Sequence, residues 1–391
     1  MFPMSNVILN WSNDTKFYCL EGRKLLTTSE TLIPRKVVAS DLENYYKCGV
    51  FVSRRPTPNY PVASLIAIPP KTEWEEISGV LTYRKTLTFS KLNPDVQISR
   101  VDKAIQKYLF LYKDKKIAIE NSGGLDSSLI IEYLNKFEFR PILIGCVMSG
   151  YEARTERVIQ EKYFARFQNS EVIQQTITPA FAELGNIPAH PLPTPSSLFY
   201  HRHLVTAQIA AKNNISVVLN GSSGDNLLGN SFKGLASGMV PDGYHDWCLS
   251  DKWVSEFIYG PLNMHYISPY SLPPLLRAIV SMRSSESEDY MKLWARKKFS
   301  NILPYELVHF AYKASHDTWI ADGLRAAESE IYNIAKTSYE IVGHKDLKPD
   351  RMISDAKNYF HQKDDEHHKF LMRLSYAVWV NSLSKANLIK M

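Results

Sequence analysis

Two short stretches concentrate the residues that could do chemistry. The first is Ser122-Gly123-Gly124-Leu125-Asp126-Ser127-Ser128, inside KKIAIENSGGLDSSLIIEYLNK, residues Lys115 to Lys136. Ile117 and Ile119 read as a buried strand, the two glycines as a tight turn, and Leu129, Ile130, Tyr133, Leu134 and Phe137 as the apolar face of a helix. A glycine turn opening a helix is an anion site, because unpaired N–H groups and the helix dipole both favour phosphate. Asp126, Ser127 and Ser128 can accept hydrogen bonds from the N–H groups of the first helical turn. The second stretch is NGSSGDNLLGN, Asn220 to Asn230, which directly follows the apolar run ISVVLN and carries Gly224 and Asp225. If the strands before Ser122 and Gly221 are neighbours, Asp126 and Asp225 face each other, and two carboxylates beside a triphosphate are what magnesium needs.

The elements that must position these residues emerge from pattern. The spacing predicts strands over Arg140–Met148, Ser170–Thr178 and Ile215–Asn220, alternating with helices over Glu152–Gln168 and Tyr200–Asn213. That alternation predicts an α/β fold with a parallel sheet, which binds ligands beyond the carboxyl ends of its strands where strand order reverses. Residues 1–95 read as a β-rich first region, with β-like pieces at Asn6–Leu9, Gly49–Ser53 and Val80–Leu87. A helix within Asp95–Tyr112 opens the second domain, 96–391. Its tail, from about residue 326, reads as helical. Phe370, Leu371, Leu374, Ala377, Val378 and Val380 form a packing face there. KDDEHHK before it and His201-Arg202-His203 read as solvated charged faces; adjacent histidines lack the spacing of a metal pair.

Composition narrows the classes. With 391 residues, 45% hydrophobic and 22% charged, the chain reads as soluble and globular. The net charge of +6 suits an acidic ligand, and no Lys/Arg-rich run argues for nucleic acid. Cys19, Cys48, Cys146 and Cys248 make no CxxC pair and predict neither zinc nor disulfides. No signal peptide and no run of about 18 apolar residues is found, so the reading is cytoplasmic, with no membrane partner.

The glycine loop is not a Walker A sequence, which requires Gly-Lys-Ser/Thr. SGGLDSS instead resembles the pyrophosphatase loop of enzymes that cleave ATP between its α and β phosphates. SGGLDSS, a proline-rich loop (IPAHPLPTPSS) and then strand–GxxGD is similar to the synthetase domain of the asparagine synthetase type. That family includes β-lactam synthetase, carbapenam synthetase and lasso peptide cyclases. KLWAR (Lys292 to Arg296), LPYELV (Leu303 to Val308) and Tyr312-Lys313 match further family segments. The resemblance covers about residues 100 to 325. It implies an adenine nucleotide α-hydrolase-like ATP-pyrophosphatase fold. It further implies that Ser122, Gly123, Gly124, Asp126, Ser127 and Gly224 cradle ATP, that Asp126 and Asp225 hold magnesium, and that Lys313 is catalytic, neutralising the pyrophosphate side. Adenine is expected against backbone near Gly145–Met148.

Departures from the family shape the expected reaction. Ser222, Ser223 and Asn226 alter the wall of the second motif, which suggests a substrate other than free aspartate. Phe2 stands where a glutaminase domain has its cysteine nucleophile. Residues 1–95 are therefore read as a degenerate glutaminase remnant, with SLIAIPPKTEWEEI resembling the tail of such a domain. The expectation is an AMP- and pyrophosphate-forming ligase that adenylates a carboxylate and joins it to an amine. Closure of a lactam or isopeptide ring in a peptide is favoured, with a leader-processing protein as partner. Ammonia-dependent amidation and a non-catalytic peptide- or nucleotide-binding scaffold are the alternatives. Tyr200, His201, His203 and Glu306 are the candidates for the base that deprotonates the amine.

Overall fold

The computed structural model of the chain describes residues 6–10, 16–21, 24–27, 37–38, 42, 65–68, 72–77, 80–86, 98–148, 153–166, 172–177, 180–190, 193–229, 250–251, 253–282, 292–309, 317–359 and 364–390. The amino-terminal part supplies β1 (Asn6–Asn10), β2 (Lys16–Glu21), β3 (Lys24–Thr27), β4 (Val37–Val38), β5 (Leu65–Ile68), β6 (Thr72–Ile77) and β7 (Val80–Thr86). Six of them form two antiparallel sheets, β1-β6-β7 and β3-β2-β5. The expected strands at Asn6–Leu9 and Val80–Leu87 are present within a residue or two, while 49–53 lies outside the described residues.

Helix α1 (Ile98–Leu109) then leads into strand β8 (Ile117–Glu120), helix α2 (Leu125–Lys136), strand β9 (Ile142–Met148), helix α3 (Ala153–Phe164) and strand β10 (Val172–Ile177). Helix α4 (Tyr200–Lys212), strand β11 (Val217–Leu219) and strand β12 (His265–Ile267) come next. The fold is mixed α/β. Its five-stranded sheet runs β10-β9-β8-β11-β12, with every pair parallel. The chain builds outward from β8 through β9 to β10, then returns to add β11 on the other side of β8. Strand order therefore reverses between β8 and β11, which pair Ile117↔Val217 through Ile119↔Leu219. The condition for bringing the two motifs together is met, since each of these strands runs directly into one of them.

Strand pleating assigns the two faces of the sheet. Ile117, Ile119, Leu143, Val217 and Leu219 pack on one side with Val101 and Ile105 of α1 and Leu129, Ile130 and Tyr133 of α2. Ala118, Ile142, Ile144, Cys146 and Val218 pack on the other with Ala207 and Ala210 of α4 and with the carboxyl-terminal helices. Apolar side chains on both faces explain why these strands read as continuous hydrophobic runs rather than alternating ones.

After β12 come α5 (Pro273–Met282), α6 (Leu293–Lys298), α7 (Tyr305–His309), α8 (Asp317–Ala326), α9 (Glu328–Val342), α10 (Pro349–Lys357), α11 (Asp364–Lys385) and the short strand β13 (Ile389–Lys390). The helical tail is as expected, and Phe370, Leu374, Ala377, Val378 and Val380 are fully buried. Trp379 fills the same core and donates its indole N–H to the His190 carbonyl at 2.6 Å. The KDDEHHK stretch departs from a purely solvated face, since His367 stacks on Tyr359 at 4.4 Å. The chain's end is tied to its beginning: β13 pairs with β4, and Tyr376 donates to the carbonyl of Leu42, itself buried in the helical core. No helix among the described residues is long and apolar enough to cross a membrane.

Candidate functional site

The first loop is set by Asn121, a residue its sequence pattern did not single out. Its side-chain oxygen accepts from the Gly123 N–H at 2.8 Å and from the Ser127 hydroxyl at 3.3 Å. The Ser122 hydroxyl accepts from the Gly124 N–H at 3.3 Å. Gly123 has a φ of +76°, and a Cβ there would come within 2.7 Å of Ile159 Cγ2 on α3. This position thus requires glycine for both backbone and space. Of the capping expected from Asp126, Ser127 and Ser128, the two serines supply none. Helix α2 starts after Gly124, which offers no side chain; Ser127 turns inward to Asn121, and the Ser128 hydroxyl is buried without a hydrogen-bond partner. The strand and the helix geometry, rather than a hydroxyl cap, present the turn at the sheet edge. Ser122 is exposed there while Ser127 is buried.

The second loop leans directly on the first. Asn220 closes its own turn, accepting from the Ser222 N–H at 2.8 Å. Ser223 takes a φ of +66°, and a single π-helical turn, Asp225–Gly229, begins at the acidic residue. Gly224 lies so close to Asp126 that an added Cβ would meet the Asp126 Cβ at 2.5 Å. Tyr270 completes the packing by donating to the Asp126 carbonyl at 2.8 Å.

The two carboxylates then converge on one cation. Lys292 Nζ stands 2.7 and 2.5 Å from the two oxygens of Asp126 and 2.5 Å from Asp225 Oδ1. Lys292 is buried, while Asp225 is half exposed. Burial alone would push the ammonium's pKa down, but the two carboxylates outweigh it and hold it above the ordinary lysine value. Lys292 is the first residue of KLWAR, and the rest of that segment anchors it. The Trp294 indole donates to the Leu228 carbonyl at 2.7 Å, and the buried Arg296 guanidinium donates to the Leu307 carbonyl. Lys313, expected to be catalytic, lies outside the described residues; among the described residues, Lys292 is the cation at the aspartates.

No protein-family model and no curated protein sequence matches the chain. The chemistry of the site is therefore argued from its geometry. Two hard oxygen donors from adjacent loops share the ammonium of Lys292. The donor set fits magnesium, which takes one or two protein carboxylates and fills its remaining positions with phosphate and water oxygens. Among the described residues no group of three or more His, Cys, Asp or Glu side chains gathers as a protein-only metal cage.

Next to this pair lies a buried acidic cluster that periodicity could not reveal. Glu120, the last residue of β8, accepts from the hydroxyls of Tyr259 at 3.3 Å and Tyr266 at 3.4 Å, with Arg202 at 3.8 Å. Burial raises the Glu120 pKa, against the lowering pull of Arg202 and the two tyrosines. Ser222 of the second loop stands close enough to Asp251 and Tyr266 to pull the pKa of each down. The Asp251 Oδ2 is buried without a hydrogen-bond partner among the described residues. Its pKa is pushed up to about 7, chiefly by burial, with Ser222 opposing and Glu120 adding to the rise.

The expected base candidates fare differently. His203 is not on a solvated face: it is buried edge-on to Tyr266, and burial with the neighbouring Arg202 lowers its pKa to about 3. His201 lies 3.9 Å from Glu183. Glu306 is an exposed partner of Arg166 at 3.3 Å. Tyr200 packs edge-on to Trp253. At the stretch expected to face adenine, Gly145 is covered by Gln160 and Phe164 of α3, and Gln160 donates to the Cys146 carbonyl at 3.2 Å.

Proposed function

We propose that the chain is an ATP-dependent, AMP- and pyrophosphate-forming amide synthetase of the asparagine synthetase type, its parallel sheet an ATP-pyrophosphatase domain. The single observation that carries this reading is the convergence of Asp126 and Asp225 on one cation, from adjacent loops at the sheet's reversal point. The favoured reaction closes a lactam or isopeptide bond within a peptide. Residues 1–95 are taken as a glutaminase-derived remnant, because Phe2 offers no nucleophile.

In this mechanism Ser122 and the Gly123–Gly124 turn receive the ATP phosphates, and Asp126 and Asp225 would hold magnesium. When bound, magnesium supplies charge neutralisation on the phosphates. A substrate carboxylate oxygen attacks the α-phosphorus, and the bond to the bridging β-phosphate oxygen breaks. Lys292 and Lys313 offset the negative charge that collects on the departing pyrophosphate. A neutral amine then attacks the acyl carbon of the adenylate, the C–N bond forms, and AMP leaves. Asp251, beside the second loop and near neutral pKa, accepts the proton that the amine nitrogen sheds. Glu120, which accepts from the Tyr259 and Tyr266 hydroxyls, helps to hold the pKa of this carboxylate up.

The test mixes the chain with ATP, magnesium, a leader-processing partner and candidate peptides bearing an amino terminus and an Asp or Glu side chain. Nucleotides are separated by chromatography and peptides weighed by mass spectrometry. AMP formed in step with loss of one water from the peptide is the expected result. ADP as product overturns the reading. AMP accompanied by conversion of a carboxylate to a primary amide places the chain with ammonia-dependent amidation instead.

A further inference from the structure

We propose that Lys292 is the resident counter-cation of the nucleotide-free site, and that a divalent metal binds there only together with nucleotide. This order of binding rests on the ATP reading and adds to it.

Lys292 makes all three of its short contacts to the two aspartates. Its ammonium is tethered, so it competes with any dissolved cation at a high effective concentration. Its backbone is anchored at the start of α6. Lys292 sits at a φ of +56°, its carbonyl accepts from the Arg296 N–H at 2.9 Å, and the neighbouring Trp294 and Arg296 are held to Leu228 and Leu307. The four-carbon side chain supplies the swing.

Charge sets the sequence of events. With Lys292 in place, its ammonium neutralises part of the charge of both carboxylates. A dication arriving alone would displace the ammonium and leave it buried beside a like charge with its partners taken, a costly arrangement. ATP removes that obstacle. Its phosphates bring negative charge at the edge of the same loops, so the displaced ammonium moves onto phosphate while the carboxylates turn to the metal. The aspartates are handed from one cation to another, and the lysine goes from placeholder to phosphate ligand. An empty site closed this way does not hold free metal in an arrangement that could not react.

The test uses Mn2+ as probe and tracks it by electron paramagnetic resonance, with no need for the carboxylate substrate. The purified full chain alone is expected to bind Mn2+ weakly, and a ternary complex is expected with ATP. Lys292→Met should bind Mn2+ without nucleotide at least about tenfold tighter than the wild type. Adding Asp225→Asn to that variant should abolish the gain, which locates the ion. Lys292→Arg, which keeps a tethered cation, should leave nucleotide-free binding weak. Tight Mn2+ binding by the wild type without ATP overturns the placeholder role and leaves the synthetase reading standing. So does the absence of any gain in a Lys292→Met protein with native circular dichroism; should that variant not fold, the wild-type and Lys292→Arg measurements decide alone. A wild type that gathers no Mn2+ at Asp126 and Asp225 even with ATP, shown by identical spectra for Asp126→Asn, defeats the ATP reading itself.

Discussion

Gly224 touches Asp126: a Cβ added to the glycine would stand 2.5 Å from the Cβ of the aspartate and 2.6 Å from its Cγ. The clash falls at the root of the Asp126 side chain, where no rotamer change relieves it. Gly224→Ala must therefore push the two loops apart. The expected stability loss is that of overpacking, about 1–3 kcal/mol. Pyrophosphate release should fall far more than this destabilisation explains, because the loops no longer deliver both carboxylates to one cation. Urea denaturation and a pyrophosphate assay on the same preparation check the two effects separately. An alanine variant with wild-type turnover would show that the contact does not set the site.

Asp126→Asn and Asp225→Asn should each lower pyrophosphate release by about 100-fold or more, since each removes one of two charged donors. The fold should survive both changes. Lys292 keeps its other carboxylate in either variant, so the buried ammonium is never left alone. Asp225 is half exposed, and its replacement should be the milder for stability. Pyrophosphate assay, circular dichroism and thermal melts suffice, and full activity in Asp225→Asn would remove the second motif from the site.

Much of this arrangement was legible in the chain. SGGLDSS and NGSSGDNLLGN each come after an apolar run, and the sheet does place those runs side by side as β8 and β11. Local pattern carried that far because strand, turn and helix are each encoded within a dozen residues. Lys292 was legible as part of a segment, but not as the partner of the aspartates: 166 positions separate it from Asp126, and only packing closes that distance. Asn121 was not singled out by type or spacing, yet it shapes the first turn through two hydrogen bonds. The Glu120–Asp251 cluster was invisible for the same reason. Its members come from β8, the second loop's surroundings and β12, and burial, the property that matters for them, depends on all of these at once. His203 shows the opposite error, a polar run read as solvated when one of its turns faces the core.

Glutamine should not serve as nitrogen donor. On the proposed synthetase reading, Phe2 stands where a glutaminase would carry a cysteine, and residue 2 lies outside the described residues, so the expectation rests on the side chain's chemistry alone. Incubation of the full chain with amide-labelled glutamine, ATP and magnesium should release no labelled ammonia and leave no label in product. Label in either pool would overturn the remnant reading of residues 1–95.

Asp251 supplies the sharpest separation of the two half-reactions. The carboxylate stands near Ser222 of the second loop and, in the proposed mechanism, is separate from the groups assigned to phosphate and metal. Asp251→Asn should therefore retain ATP–pyrophosphate exchange with a carboxylate that supports it, and lose amide formation by about 100-fold or more, the usual worth of a general base. In the wild type, the amide-forming step should rise as pH passes through about 7, where Asp251 becomes able to take a proton. Stability should move the other way. A carboxyl whose pKa is raised on folding binds more protons in the native than in the unfolded state, so stability falls between the ordinary aspartate range and about pH 7. The slope for one such group is roughly 1.4 kcal/mol per pH unit. Glu120, also raised, contributes in the same direction. Denaturant midpoints measured from pH 4.5 to 8 should accordingly drop less steeply in Asp251→Asn than in the wild type. A variant that loses exchange and amide formation equally, with an unchanged pH slope of stability, would make Asp251 a structural residue and return the search for the base to the remaining polar groups around the second loop.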